Sequence, residues 1–272
     1  LVLPESRAPV DFQVEESAEL IRVSMASLVV EVRRSTGALT YRTREGRLLT
    51  KEPDVSGKIL EEFDVIRYDY EAMEGRAFEF GADGFKARTP QGRPRIDRKA
   101  WHAKLSMTFQ DGEALYGLGS HEEGVLNLRG SVQYLYQQNR KIAVPYLLST
   151  RGWSILWNTG SALTFRDDQF GSSMWIECVD ELDFWFTASP SMDGLASALR
   201  TLTGATPLLP RWAFGYFQSK ERYQTQAEIL ETAREFLKRG LPISSIVLDW
   251  QSWPEGLWGQ KSFDPIRFPD PS

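Results

Sequence analysis

Asp249 directly follows the apolar run Ile246-Val247-Leu248 and precedes Trp250, Trp253 and Trp258. In parallel α/β domains, functional groups lie at the carboxyl ends of strands. A carboxylate among indole rings suits a sugar, because the rings pack on the apolar faces of a pyranose while the carboxylate accepts hydrogen bonds from its hydroxyls. The competing reading of Asp249 is a strand-end residue that caps the next turn. The same rule singles out Gln218, Ser219 and Lys220, which follow the continuous apolar run from Trp212 to Phe217. For Lys220 and Glu221, in Gln-Ser-Lys-Glu-Arg-Tyr, the competing reading is an exposed charged loop.

Other chemistries are poorly served. Gly117-Leu118-Gly119 looks like the opening of a dinucleotide loop, but the next glycine is Gly124 and no helical pattern follows, so the spacing is wrong. The two histidines, His102 and His121, are far apart, and one cysteine, Cys178, excludes both an intramolecular disulfide and a cysteine-rich metal centre. His121 beside Glu122 and Glu123 lacks a ligand partner at helical spacing, which favours a structural or surface role. Cys178 reads as a core thiol. No Gly-x-Ser-x-Gly elbow, P-loop or His-Glu-x-x-His motif occurs. No cofactor or metal is expected.

The elements that would position Asp249 come from periodicity. Behind the apolar run 212–217, which reads as a strand covered on both faces, Thr225 and Glu228 form a capping box. Ile229, Leu230, Ala233, Phe236 and Leu237 then make one apolar helix face, and Gly240 and Pro242 end it. A second buried strand, Ile246–Leu248, completes a parallel βαβ unit. Upstream, Ile21, Val23 and Met25 alternate with polar residues, as do Leu28, Val30 and Val32, then Leu39 and Tyr41, with turns at Ser35-Thr36-Gly37 and Arg44-Glu45-Gly46. Further strands are expected over 59–68, 103–109, 154–157, 162–166, 174–178 and 182–187. Many short strands at this spacing predict an antiparallel sandwich. A short helix follows, capped by Ser189 with Pro190 in its first turn and Gly204 at its end, and Thr206-Pro207-Leu208-Leu209-Pro210 reads as a domain boundary.

The 272 residues, 42% hydrophobic and 12% aromatic with nine Trp, can bury a sizeable core. Thirty-two Lys and Arg against 37 Asp and Glu give a net charge of −5, without the basic footprint of a nucleic-acid binder. The basic, turn-rich stretch 75–99 could meet a phosphate, but a solvated hairpin explains it as well. No run of about 18 apolar residues exists, so no membrane-spanning helix is expected. A (β/α)₈ barrel needs about 250 residues, and two parallel strands cannot bury both faces alone, so the chain reads as the front end of a larger protein.

The sequence also resembles glycoside hydrolase family 31. The residues that carry the resemblance are Leu115-Tyr116-Gly117-Leu118-Gly119, Gln138-Asn139, Val144-Pro145-Tyr146-Leu147-Leu148-Ser149 and Arg151-Gly152-Trp153-Ser154-Ile155-Leu156-Trp157. They continue in Leu202-Thr203-Gly204, Pro210-Arg211-Trp212-Ala213-Phe214-Gly215-Tyr216, Val247-Leu248-Asp249-Trp250, Phe263-Asp264-Pro265 and Phe268-Pro269-Asp270. Phe217-Gln218-Ser219-Lys220-Glu221-Arg222-Tyr223 is more similar to the bacterial α-xylosidases than to the animal maltases. The resemblance implies a galactose-mutarotase-like antiparallel β-sandwich over 1–205, ending in a short helix, and then the first βα units of a (β/α)₈ TIM barrel over 206–272, an incomplete chain. It implies a retaining α-glycosidase acting without cofactor on terminal α-linked xylose or glucose of oligosaccharides, through one carboxylate nucleophile and one acid/base carboxyl. The family's Trp-x-Asp-x-Asn-Glu nucleophile motif does not occur here, so no catalytic residue is expected in this chain, and the chain alone is expected to be inactive. Asp249 corresponds to the family Asp that hydrogen-bonds a hydroxyl of the sugar in the cleaving subsite, with Trp250 beside it. Asn139 or Gln138 falls in the sandwich loop that reaches over that site in relatives, and Gln218 and Lys220 complete the expected substrate contacts. The expected partner is an oligosaccharide, with no nucleic acid and no membrane. The alternative is a stand-alone carbohydrate-binding β-sandwich without catalysis.

Overall fold

The computed structural model describes residues 1–3, 11–70, 78–81, 84–87, 92–257 and 259–271, with the backbone alone given at 70, 78–81 and 84–87. The fold is mostly antiparallel sheet with few helices. It divides into two compact units, Leu1–Tyr70 with Gly92–Ala205, and Glu71–Gln91 with Thr206–Ser272.

In the first unit, β1 (Gln13–Glu16), β2 (Leu20–Ser24), β3 (Leu28–Arg33), β4 (Leu39–Thr43) and β5 (Leu48–Lys51) form one meander. The expected period-two segments fall on β2, β3 and β4. A long ribbon follows, β6 (Lys58–Tyr70) paired with β9 (Gly92–Met107). In the sequence between these two strands, and counted with the second unit, β7 (Phe78–Gly81) and β8 (Gly84–Ala87) pair as an antiparallel hairpin. Within the basic 75–99 stretch a hairpin is thus present, residues 92–99 are strand rather than loop, and 75–77, 82–83 and 88–91 lie outside the described residues.

The remaining strands are β10 (Leu115–Ser120), β11 (Val132–Leu135), β12 (Ile142–Ser149), β13 (Trp153–Trp157), β14 (Leu163–Asp168), β15 (Gly171–Val179) and β16 (Phe184–Ala188). They form a sheet β10-β12-β13-β16 and a sheet β11-β14-β15-β9-β6. One core joins residues of all three sheets, including Tyr41, Leu49, Leu105, Trp153, Phe165 and Ile176. Tyr41 stacks on Phe186 with centroids 3.7 Å apart. Cys178 is half-buried, with Arg98 Nη2 3.8 Å from its sulfur, and is not part of that core as expected. Its N–H is instead held by Ser161 Oγ at the strand edge.

Every residue of β13 is buried. Trp153, Ile155 and Trp157 face the shared core, and Leu156 packs with Tyr146 and Leu202 in a second cluster. That second cluster involves the helix α1 (Met192–Thr203), which buries Leu195 and Leu202. Tyr146 on β12 ties them, donating to the Leu195 carbonyl at 2.9 Å with Ser154 Oγ 2.7 Å away. The cap of α1 is Ser191, whose side chain accepts from Gly194 N, not Ser189. The chain runs two residues further before turning because Ser191 sits extended at φ −131°, and Pro190 precedes the helix.

Gly117 and Gly119 belong to a β-bulge in the β10–β12 pairing. At φ 107° and 100° only glycine is comfortable, and an added Cβ would lie 2.3 Å from the Tyr146 carbonyl oxygen or 1.8 Å from that of Ile142. The Gly-Leu-Gly spacing therefore comes from close backbone approach in a sheet.

In the second unit, Arg211–Phe214 is a 3₁₀ turn, not the expected strand. Pro210 starts it and Gly215 N–H closes it onto the Trp212 carbonyl at 3.1 Å. The strand begins later, as β17 (Phe217–Lys220), because parallel pairing starts where the Tyr216 carbonyl accepts from Ser244 N. β17 pairs with β18 (Ser245–Leu248) through the register Gln218 with Ile246 and Lys220 with Leu248. Between them lies α2 (Gln226–Lys238). Thr225 caps it as expected, accepting from Glu228 N at 3.2 Å, while the Glu228 carboxylate returns to Gln224 N–H at 2.7 Å rather than to the cap's own N–H. The helix ends in a Schellman motif, with Gly240 at φ 64° and Leu241 N–H bonded to the Phe236 carbonyl at 3.0 Å. Neither strand is buried on both faces as expected: β17 is largely exposed and β18 is partly exposed.

Candidate functional site

Asp249 is the first residue beyond β18, as the sequence pattern requires. Its side chain is exposed, and Oδ1 accepts from the Trp250 N–H at 2.8 Å. This bond is the turn cap of the competing reading, and it coexists with a ligand role, since an ionised carboxylate has about four acceptor positions. Trp250 is held in place from the end of β17. Its indole Nε1 donates to Glu221 Oε1 at 3.2 Å, and the Arg222 guanidinium carbon lies 5.4 Å from the ring centroid. Arg222 Nη1 also donates to Gln251 Oε1 at 3.1 Å.

The segment beyond Asp249 is clamped by a loop that carries the two Phe/Asp/Pro motifs. Arg267 donates to the carbonyls of Gln251 at 2.8 Å and Trp253 at 2.6 Å. Asp264 holds Arg267 by an ion pair at 3.3 Å and accepts from the N–H groups of Ile266 and Arg267. Those two N–H groups hold the Asp264 carboxyl below the usual carboxylate range. Trp253 and Phe268 are buried beneath this clamp. The loop is fastened to the start of α2 by Gln226 N–H to the Arg267 carbonyl and Asp270 N–H to Gln226 Oε1, each 2.9 Å. Trp258 lies outside the described residues.

Gln218 and Lys220 are part of β17 itself and not of the loop after it. The Gln218 amide accepts from Tyr216 Oη at 2.7 Å and donates to Tyr223 Oη at 3.1 Å. Lys220 Nζ is 2.7 Å from Glu228 Oε1 and 4.9 Å from the Tyr223 ring centroid. The Lys220 hydrogen bond, with that from Gln224 N–H, pulls the Glu228 carboxyl below its ordinary value. These contacts bind strand to helix around the buried Tyr223. Gln138 and Asn139 belong to the first unit, exposed in the turn between β11 and β12, where Gln138 bridges Lys141. The neighbouring Gln137 makes the local amide clamp, donating to the Ala143 carbonyl and accepting from its N–H.

Glu221 was weighed with Lys220 against an exposed loop, and Arg222, Asp264 and Arg267 are the residues that sequence reasoning did not assign to this neighbourhood. Only the charged character of Ser-Lys-Glu-Arg-Tyr hinted at Arg222. His121 Nε2 is bonded to the Leu118 carbonyl at 2.7 Å, and Glu122 and Glu123 pair with Arg140 and Lys141. Among the described residues no cluster of His, Cys, Asp and Glu could hold a metal ion, and no helix is long and apolar enough to cross a membrane.

The arrangement is similar to known proteins over its whole length. Residues 206–272 match the TIM-barrel domain model of glycosyl hydrolases family 31. An alpha-xylosidase of Saccharolobus solfataricus is 35% identical over 182 residues, covering 63% of this chain and 25% of that protein. An uncharacterised family 31 glucosidase of Pseudescherichia vulneris is 37% identical over 172 residues, covering 62% of this chain and 32% of the other. The chain thus spans between a quarter and a third of the length of these relatives. Among solved structures, a family 31 alpha-xylosidase from a soil metagenome, complexed with xylose, superposes with a TM-score of 0.73 at 28% identity, over 99% of this chain and 38% of that one. A family 31 alpha-xylosidase from Xanthomonas citri shares the fold with a TM-score of 0.75 at 19% identity, over 99% of this chain and 43% of its own. The chain is thus similar to an N-terminal portion of glycoside hydrolase family 31 proteins, and its residues 206–272 match that family's barrel domain.

Proposed function

We propose that the chain is part of a retaining α-glycosidase that releases terminal α-linked xylose or glucose from oligosaccharides. In this reading residues 1–205 form a galactose-mutarotase-like β-sandwich and residues 206–272 the first βα units of a (β/α)₈ catalytic barrel. The observation that carries it is Asp249, an exposed carboxylate at the carboxyl end of β18 with Trp250 fixed beside it, inside the segment that matches the family's barrel. The xylosidase names of two of these relatives support xylose as the first sugar to test.

Asp249 is assigned to substrate binding rather than to bond breaking. Double displacement at an anomeric carbon needs two carboxyl groups about 5 Å apart, one attacking and one protonating the leaving oxygen, and Asp249 has no second carboxyl assigned here. It accepts a hydrogen bond from a sugar hydroxyl, and Trp250 offers apolar surface to the ring. Gln218 and Lys220 hold β17 against α2 and so set where Glu221 and Arg222 meet Trp250. Gln138 and Asn139 are assigned to sugar binding by the resemblance alone.

Saturation-transfer NMR of the 272-residue chain with methyl α-xyloside and methyl α-glucoside tests this reading. Binding is expected and is lost in Asp249→Ala, while 4-nitrophenyl α-xyloside is not hydrolysed. Sugar binding that survives Asp249→Ala unchanged, or turnover by the chain itself, overturns the assignment.

A further inference from the structure

We propose that the outer face of the sheet β11-β14-β15-β9-β6 carries a binding groove for a neutral oligosaccharide, sharing no residue with the Asp249 neighbourhood. The strand register decides which side chains face it. Met174 pairs with Leu105 and Ile176 with Ala103, and all four are buried in the core. Side chains alternate along a strand, so Trp175 with Lys104, and Ser173 with Ser106, point to the opposite face. Arg166 opposite Ser173 extends that face across β14, and Ile59 and Glu61 extend it across β6. A groove of about 640 Å³ runs there, lined among others by Trp175, Lys104, Glu61, Arg166, Ser173 and Phe170. Its volume falls in the range of small-ligand sites.

Two features give the ligand its chemistry. The first is an aromatic row built across three strands. Phe63 stacks on His102 with centroids 4.0 Å apart and planes 3° from parallel, and His102 stacks on Trp175 at 5.2 Å and 28°. His102 Nδ1 is 2.6 Å from the Glu177 carbonyl, which only accepts, so Nδ1 carries the proton and the ring is pinned. One face of the indole is thereby braced from behind, and the rest lines the groove as a rigid apolar platform. Phe170, 83% exposed, stands at the hairpin beside it. Rings preordered in this way on a solvent-facing sheet pack against pyranose faces at little entropic cost.

The second feature is charge balance. Arg129 is paired with Asp167 at 2.8 Å, and Arg166 lies 3.7 Å from Asp168. Among the described residues Lys104 and Glu61 have no ion-pair partner, and they carry opposite signs. A groove with one free donor cation, one free acceptor anion, the hydroxyls of Ser106 and Ser173, that of Ser172 being given to Asp167, and a ring platform matches a ligand with many hydroxyls and no net charge. A polyanion would need an uncompensated basic surface.

Isothermal calorimetry with maltoheptaose and with a xylose-substituted cello-oligosaccharide tests the inference. Wild-type chain is expected to bind at least one, and Trp175→Ala to bind about tenfold more weakly or not at all. Lys104→Met replaces a single surface charge and guards against a folding artefact: it is expected to weaken binding severalfold with an unchanged unfolding midpoint. Absence of millimolar binding by the wild type, or wild-type affinity in both Trp175→Ala and Lys104→Met, overturns the inference. The second of these outcomes puts the binding elsewhere and leaves the Asp249 assignment standing.

Discussion

The two long helices have nearly the same local design and opposite fates. Each follows an extended residue whose hydroxyl accepts from a first-turn N–H, Ser191 for α1 and Thr225 for α2. Each is amphipathic. Yet α1 buries Leu195 and Leu202 against β12 and β13, whereas α2 buries none of its residues and leaves Leu237 69% exposed. Caps and periodicity are properties of a dozen residues, and burial depends on whether a second surface is there to receive the face. In the first unit three sheets supply that surface. In the second, the two-stranded sheet β17-β18 is the only sheet among the described residues there apart from the β7–β8 hairpin.

The largest test of this contrast sets a core side chain of one unit against an apolar side chain of the other. Trp153 is wholly buried, lies about parallel to Phe186 at 5.8 Å, and donates from Nε1 to Glu113 Oε1 at 2.8 Å. Trp153→Ala is expected to cost about 3–5 kcal/mol, and it also takes one donor from the buried Glu113. Leu237→Ala is expected to stay within about 0.5 kcal/mol. Urea titration followed by near-ultraviolet circular dichroism reads both. A Leu237→Ala shift approaching that of Trp153→Ala would mean that α2 has a packing surface in solution, through self-association or otherwise, and the contrast would collapse.

What could be read in advance follows the same division. The capping pair Thr225 and Glu228, the stop at Gly240 and the alternation on β2 to β4 are local, and they were legible. The run from Trp212 to Phe217 was misread, because consecutive apolar residues do not distinguish a doubly covered strand from a proline-initiated 3₁₀ turn. Here Trp212 and Phe214 are exposed. Gly117 and Gly119 were legible as special but not as a bulge, since the atoms that forbid a side chain belong to Ile142 and Tyr146 on another strand. Asp249 was legible because its context is sequential. Its surroundings were not: Trp250 is fixed by Glu221, 29 residues earlier, and the backbone of Gln251 by Arg267, 16 residues later. Hydrogen bonds of that separation leave no periodic trace.

The caps sharpen the contrast at a smaller scale. Ser191→Ala and Thr225→Ala each remove one acceptor for a helix N–H, worth about 1 kcal/mol. In α1 the loss is expected to lower the unfolding midpoint of the first unit, because the helix is fastened by Leu195, Leu202 and the Tyr146 hydroxyl. In α2 it is expected as fraying: amide exchange in the first two turns accelerates about fivefold while that midpoint stays put. Hydrogen exchange resolved by peptide separates the two cases. A matching midpoint loss in both variants would show that the units unfold as one.

The smallest effect concerns two carboxylates and acid. Burial raises the Asp167 carboxyl, but hydrogen bonds from Ser172 Oγ and Gly130 N–H and the Arg129 guanidinium outweigh it, leaving its pKa below the ordinary value. Glu228 is also depressed, by Lys220 and Gln224 N–H, but it lies at the surface with its side chain 36% exposed. For a depressed carboxyl the stabilisation is complete above the unfolded pKa, near 4 for Asp or Glu, and is lost as pH falls through the lower folded pKa. Both therefore act below about pH 4, in the same direction. They differ in their surroundings. Asp167 lies largely out of solvent with three hydrogen bonds fixed by the fold, so salt reaches it poorly, whereas the Glu228 pair is screened. Asp167→Asn is expected to flatten the acid limb of the stability curve at both low and high salt. Glu228→Gln is expected to change that limb only at low salt, and only in the exchange of α2. Equal flattening by the two variants in 1 M salt would place Glu228 in a drier setting than an exposed helix start, and with it the packing of α2 would have to be redrawn.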